Sequence, residues 1–108
     1  MRAYERFLRY AAVYTASDEE STAVPTTARQ FDLARMLVQE LREMGVKDAR
    51  VDDKCYVYGS IPATPGYEGC VSLGFIAHMD TTPDFKGEGV KPQVIPDYDG
   101  EDVALGDS

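Results

Sequence analysis

The stretch Val71–Gly87, VSLGFIAHMDTTPDFKG, decides how this chain folds. Val71 to Ala77 is an almost unbroken apolar run. It stops at His78-Met79-Asp80 and breaks into a Thr-Thr-Pro turn. A short continuous apolar run bounded by turn residues is the pattern of a strand covered on both faces, as at the centre of a parallel sheet. The stretch therefore predicts a buried strand over 71–77, with His78 at its C-terminal end. In open α/β sheets, ligands bind just outside the carboxyl ends of the strands. On extended backbone, residues two apart face the same side, so His78 and Asp80 share a face and Met79 points away. That placement suits a metal ligand and its support. One imidazole nitrogen takes the metal, and the other donates its N–H to a carboxylate that fixes the tautomer and raises ligand basicity. His78 is the only histidine in the chain, and zinc wants about four ligands. The plainer alternative is that Asp80 starts a turn through its own side chain, with His78 hydrogen-bonded at a strand end.

Upstream of this stretch the helical signals are local. Tyr4, Phe7, Leu8 and Ala11 recur at helical spacing, with Arg2, Glu5, Arg6 and Arg9 on the other side, which predicts an amphipathic helix over 3–14. Tyr10 and Tyr14 read as packing residues. TASDEESTAVP, ending at Pro25, is a loop. Thr27-Ala28-Arg29-Gln30 fits a capping box. Phe31, Ala34, Leu37, Val38, Leu41 and Met44 then form an apolar stripe, and Gly45 suits a helix C′ position. A helix over 27–44 follows, its stripe belonging to the core rather than to a cofactor. VKDARVDD and KCYVYGSIPA read as two strands joined by a turn at Asp52-Asp53-Lys54. The segment 62–69 is a Pro- and Gly-rich connection. After Asp80 the pattern dissolves, although KPQVIPDY and EDVAL could form short hairpin strands. Gly87-Glu88-Gly89 opens no helix and is not a phosphate loop.

The order is thus helix, helix, strand, strand, buried strand, irregular tail: an α/β chain in which two helices precede a mixed sheet with helix-covered strands. One buried strand needs neighbours and a helix layer that this chain does not fully supply. The sheet is predicted to be incomplete, and the chain to be the start of something larger.

Composition excludes several functions. Nineteen acids against 11 bases give a net charge of −8, which argues against nucleic-acid and anionic-membrane surfaces, since both need clustered Lys and Arg. From Asp84 to Ser108, seven acids and two lysines leave −5. This is a solvated surface or a field that attracts cationic groups such as a peptide amino end. No apolar run approaches the ~20 residues of a membrane span. The N-terminus carries charges throughout and is no secretory signal, so a cytoplasmic address is expected. Cys55 and Cys70 are too few for a disulfide scaffold and are not spaced as C-x-x-C. Each is expected to start a strand as a small buried hydrophobe.

Six stretches carry a resemblance: ERFLRY near the start, VPTTARQ before the second helix, LREMGV at its end, YGSIPA, GFIAHMDTTPD and VKPQVIPDYDGEDVALG. Together they resemble the N-terminal part of the peptidase T family, tripeptide aminopeptidases of the co-catalytic zinc peptidase superfamily, which also holds aminoacylases and a desuccinylase. His-x-Asp-Thr is shared across that superfamily, and the KPQVI…YDG…ALG run is more particular to peptidase T. The resemblance implies the N-terminal portion of a zinc-peptidase catalytic domain over 1–108. It implies His78 as a ligand to one of two zinc ions and Asp80 as the catalytic-site carboxylate that orients it. It implies tripeptide substrates, and it leaves a homodimer open for the parent protein. The bridging aspartate, the general-base glutamate, the remaining ligands and the lid domain would lie beyond Ser108. On this reading the chain is a truncated peptidase, inactive alone. Two readings stand beside it: a non-catalytic acidic α/β interaction module, and another superfamily member such as a desuccinylase or a dipeptidase.

Overall fold

The computed structural model describes residues 1–106; Asp107 and Ser108, the end of the acidic tail, lie outside them. Among the described residues the elements are helix α1 (Ala3–Ala11), helix α2 (Gln30–Glu43), strand β1 (Arg50–Val51) and strand β2 (Val57–Tyr58).

α2 is the body of the structure. Leu33, Ala34 and Val38 are buried on it, and Ala34 has no solvent exposure at all. Its C-terminus closes as the sequence predicts. Gly45 takes φ 95°, a left-handed conformation open to it because it has no Cβ. The Gly45 amide donates to the Arg42 carbonyl at 3.0 Å and the Val46 amide to the Leu41 carbonyl at 2.9 Å. These are the paired bonds of a Schellman motif, and they satisfy carbonyls the helix leaves open. The N-terminus differs from the capping-box expectation. Gln30 Nε2 donates to Thr27 Oγ1 at 3.1 Å, but the Thr27 hydroxyl donates to the Ala16 carbonyl at 2.9 Å. Thr27 therefore ties α2 to the preceding loop instead of capping it, and regular helix begins at Gln30.

The hairpin forms where the sequence places it. β1 and β2 pair antiparallel, Arg50 opposite Tyr58 and Val51 opposite Val57. Asp52 Oδ1 accepts the Lys54 amide at 3.0 Å and the Tyr56 amide at 2.8 Å, holding the turn. Cys55 lies in this turn at φ 68°, buried, rather than at a strand start. Arg42 reaches from α2 with both Nε (3.1 Å) and Nη2 (2.9 Å) to the Ala49 carbonyl, fixing the hairpin to the helix end. Asp48 accepts the Ser60 amide at 2.9 Å and closes the far side.

Several expectations are corrected. The sheet is two antiparallel strands, not a mixed sheet. Residues 71–77 form no strand and are not buried: Val71 is 97% exposed, Phe75 90%, and Ile76 is fully exposed. Cys70, expected to begin that strand, is exposed. The reason is physical. A strand's backbone groups are satisfied only by neighbouring strands, and no described residue pairs with 71–77. The runs around 91–98 and 101–105 are likewise not strands.

The helix expected over 3–14 ends at Ala11, with Ala12 as its C-cap. None of its residues is buried, Tyr4 and Phe7 are exposed, and Leu8 and Ala11 are half-buried. Its polar side makes the closest attachment. Arg6 Nη1 lies 3.0 Å and Arg9 Nη1 2.6 Å from the Glu40 carboxylate, and the Tyr10 hydroxyl donates to the same carboxylate. Glu40, in the last turn of α2, is buried beneath this cluster. The Tyr10 hydrogen bond and the two guanidinium groups hold its carboxyl below the usual carboxylate range, against the opposing effect of burial.

Candidate functional site

His78 and Asp80 follow the extended run, and the two-residue spacing brings their side chains together. His78 Nδ1 lies 3.1 Å from Asp80 Oδ1. The imidazole is 85% exposed and the carboxylate 39%. In the tautomer that donates Nδ1–H to Asp80, Nε2 carries the ring's lone pair.

What holds this pair in place is a short clamp at the very next residue. Thr81 forms an isolated parallel bridge with Ala16. Its amide donates to the Thr15 carbonyl at 3.3 Å, and its own carbonyl accepts the Ser17 amide at 3.0 Å and the Ser17 hydroxyl at 3.1 Å. Thr15 and Ala16 are buried. The end of the apolar run is thus fixed to the loop between α1 and α2. Gly87 packs against it: a Cβ there would stand 3.1 Å from Thr81 Oγ1. The sequence reading missed this clamp, because nothing in the spacing of residues 15–17 and 81 shows that they meet.

The pair borders a cleft of about 970 Å³. α2 contributes Leu37 and Leu41, the hairpin contributes Tyr56 to Tyr58, and Phe75 to Asp80 complete the lining. Among the described residues no group of three or more His, Cys, Asp or Glu side chains is placed to hold a metal ion. The donor set therefore suits one ligand of a metal centre, not a complete centre. No helix among the described residues is long and apolar enough to cross a membrane.

No protein-family model matches the chain. Curated relatives do. A peptidase T of Desulfitobacterium hafniense (strain DSM 10664 / DCB-2) is 54% identical over 101 residues, 94% of this chain and 24% of the relative. Peptidase T of Geobacillus kaustophilus is 50% identical over 101 residues, again 24% of its length. That of Alkaliphilus oremlandii is 47% identical over 102, or 25% of its length. A match of 101 residues within 108 necessarily spans His78 and Asp80. The chain spans about a quarter of the length of these relatives, and what it resembles along nearly all of its own length is peptidase T.

Proposed function

We propose that these residues are part of a zinc-dependent aminopeptidase that removes the N-terminal residue of tripeptides, with His78 as a ligand to one zinc ion and Asp80 as its orienting carboxylate. The observation that carries the reading is the similarity to peptidase T at about half identity through a segment where a histidine and a carboxylate already touch. Asp80 engages Nδ1, which sets the tautomer that leaves Nε2 as the donor atom. Zinc bound in such a site polarises the scissile carbonyl and lowers the pKa of bound water. His78 and Asp80 contribute to this only by position: one holds, the other aims and keeps the ring basic. The protein is proposed to act in the cytoplasm on small peptides, with no nucleic acid or membrane involved.

One ligand is too few for tight zinc binding, so the 108-residue chain by itself should neither retain zinc nor cleave tripeptides. The test is a chimera in which this chain replaces the matched quarter of the Desulfitobacterium hafniense relative. It should hydrolyse tripeptides in preference to dipeptides and N-succinyl substrates, lose activity to a chelator and regain it with zinc. Preference for either of the other substrates, or chelator-insensitive turnover, would refute the reading.

A further inference from the structure

We infer that Thr27 and Gln30, at the start of α2, are positioning residues for the His78–Asp80 pair. They hold the loop Thr15–Ser17, which holds Thr81 and so sets where the pair sits. What the pair is positioned for, a zinc ion, rests on the function proposed above.

Little packs against the pair itself, because the imidazole is 85% exposed and the carboxylate 39%. Among the described residues, the backbone hydrogen bonds at Thr81 are the only ones that join residues 71–106 to the rest of the chain. The pair therefore takes its place from Thr81, the residue that follows Asp80. Thr81 in turn is bound to Thr15, Ala16 and Ser17, which lie in the loop between α1 and α2. A loop positions a site only as well as it is itself held.

The residues that lead into α2 hold this loop at three points. The Thr27 hydroxyl donates to the Ala16 carbonyl at 2.9 Å. Thr26 Oγ1 accepts the Asp18 amide at 3.2 Å. The Arg29 guanidinium lies over the Tyr14 ring, 4.3 Å from its centroid. Gln30 then locks the two hydroxyls, its Nε2 donating to Thr26 Oγ1 at 3.2 Å and to Thr27 Oγ1 at 3.1 Å. The directions are forced. A carbonyl only accepts, so Thr27 gives its proton to Ala16 and takes one from Gln30, and both Gln30 amide hydrogens are used. Thr15, Ala16 and Gln30 are buried, so breaking a link leaves a shielded polar group unpaired. Threonine three residues before glutamine ordinarily caps its own helix. Here the hydroxyl goes to Ala16 instead, and the bond serves the loop. The path from the core runs α2, Thr27, Ala16, Thr81, Asp80, His78.

The experiment compares Thr27→Val, which keeps the shape and loses the hydroxyl, with Thr27→Ser, which keeps the hydroxyl. In the same chimera, Thr27→Val should bind zinc about tenfold more weakly, the lower end of what an outer partner of a metal ligand contributes. Its kcat for tripeptides should fall by about that factor with KM unchanged. The Thr81 amide should exchange about tenfold faster while amides from Ala34 to Val38 keep their protection. Thr27→Ser should restore all of these. In the 108-residue chain His78 is the only histidine, so nitrogen NMR reads its ring directly. At about pH 8.5, where an imidazole is neutral, Thr27→Val should show a smaller share of the Nδ1–H tautomer. Faster Thr81 exchange with zinc affinity and tautomer unchanged would overturn the inference and leave Thr27 as a tie within the fold. Unchanged Thr81 exchange, or equal loss of protection in α2, would overturn it too. If the unsubstituted chimera holds no zinc, the peptidase reading fails, and exchange and tautomer in the 108-residue chain still decide the positioning. If Thr27→Val leaves an active zinc chimera untouched, the positioning fails and the peptidase stands. Should Thr27→Val not fold, Gln30→Met removes both amide donors at similar length and should move the same measurements in the same direction.

Discussion

Replacing Glu40 with glutamine should detach α1 while leaving the rest of the structure in place. α1 has nine residues, none of them buried. A helix this short is marginal in water on its own, so its order depends on what it docks against. The Glu40 carboxylate takes the Tyr10 hydroxyl, Arg6 and Arg9 together, with its side chain only 5% exposed. A hydrogen bond to a charged acceptor contributes about 1.5–3 kcal/mol, against about 1 for a neutral one. Glutamine keeps an acceptor and loses the charge, so the Tyr10 bond weakens by roughly 1 kcal/mol. The two cations lose their counter-charge, which adds about 1 kcal/mol after the screening that applies to the well-exposed Arg9. A total near 2 kcal/mol raises the undocked population roughly thirtyfold. Hydrogen exchange read by mass spectrometry should show α1 amides exchanging faster by about that factor, with α2 amides unchanged. Unaltered protection in α1 would refute the clamp. Equal loss in α1 and α2 would show that Glu40 supports the whole core instead.

Lowering the pH should reproduce this effect. Glu40 has a depressed carboxyl in the folded state, so its contribution is present above the ordinary carboxylate pKa of about 4.3 and is lost as pH falls through the lower folded value. The pH at which α1 opens should disappear as a distinct step in Glu40→Gln. Gly59→Ala should destabilise the helix–hairpin packing by about 1–2 kcal/mol, because its Cβ would stand 2.9 Å from Val46 Cγ1; denaturant melts would show it. Ser17→Ala removes one of the two bonds to the Thr81 carbonyl and should speed exchange at Ser17 with no effect on β1 or β2.

What the sequence made legible was whatever depends on nearby residues. The stripe from Phe31 to Leu41 marked α2, and Gly45 marked its end, since both signals act within a turn of helix. Asp52-Asp53-Lys54 marked the hairpin because a side chain two residues back can hold such a turn. The apolar run at 71–77 was misjudged as buried because burial depends on partners, and none of the described residues covers it. Which face of α1 turns inward was not legible. Its hydrophobic spacing was real, but a single buried carboxylate on α2 outweighs a few half-exposed apolar contacts. Arg6, Arg9 and Tyr10 do share one face at helical spacing, and that was the available sign that this face meets an acid. The closeness of His78 and Asp80 was legible from alternation alone. Their attachment through Thr81 was not, because it joins residues more than sixty positions apart.

The most direct test of the account is the metal content of the folded chimera, compared with its His78→Ala variant. The account predicts zinc in the parent, loss of one ion per chain in the variant, and nearly complete loss of tripeptide turnover with it. Undiminished zinc in folded His78→Ala would contradict it, because the one imidazole in these 108 residues would then not be a ligand.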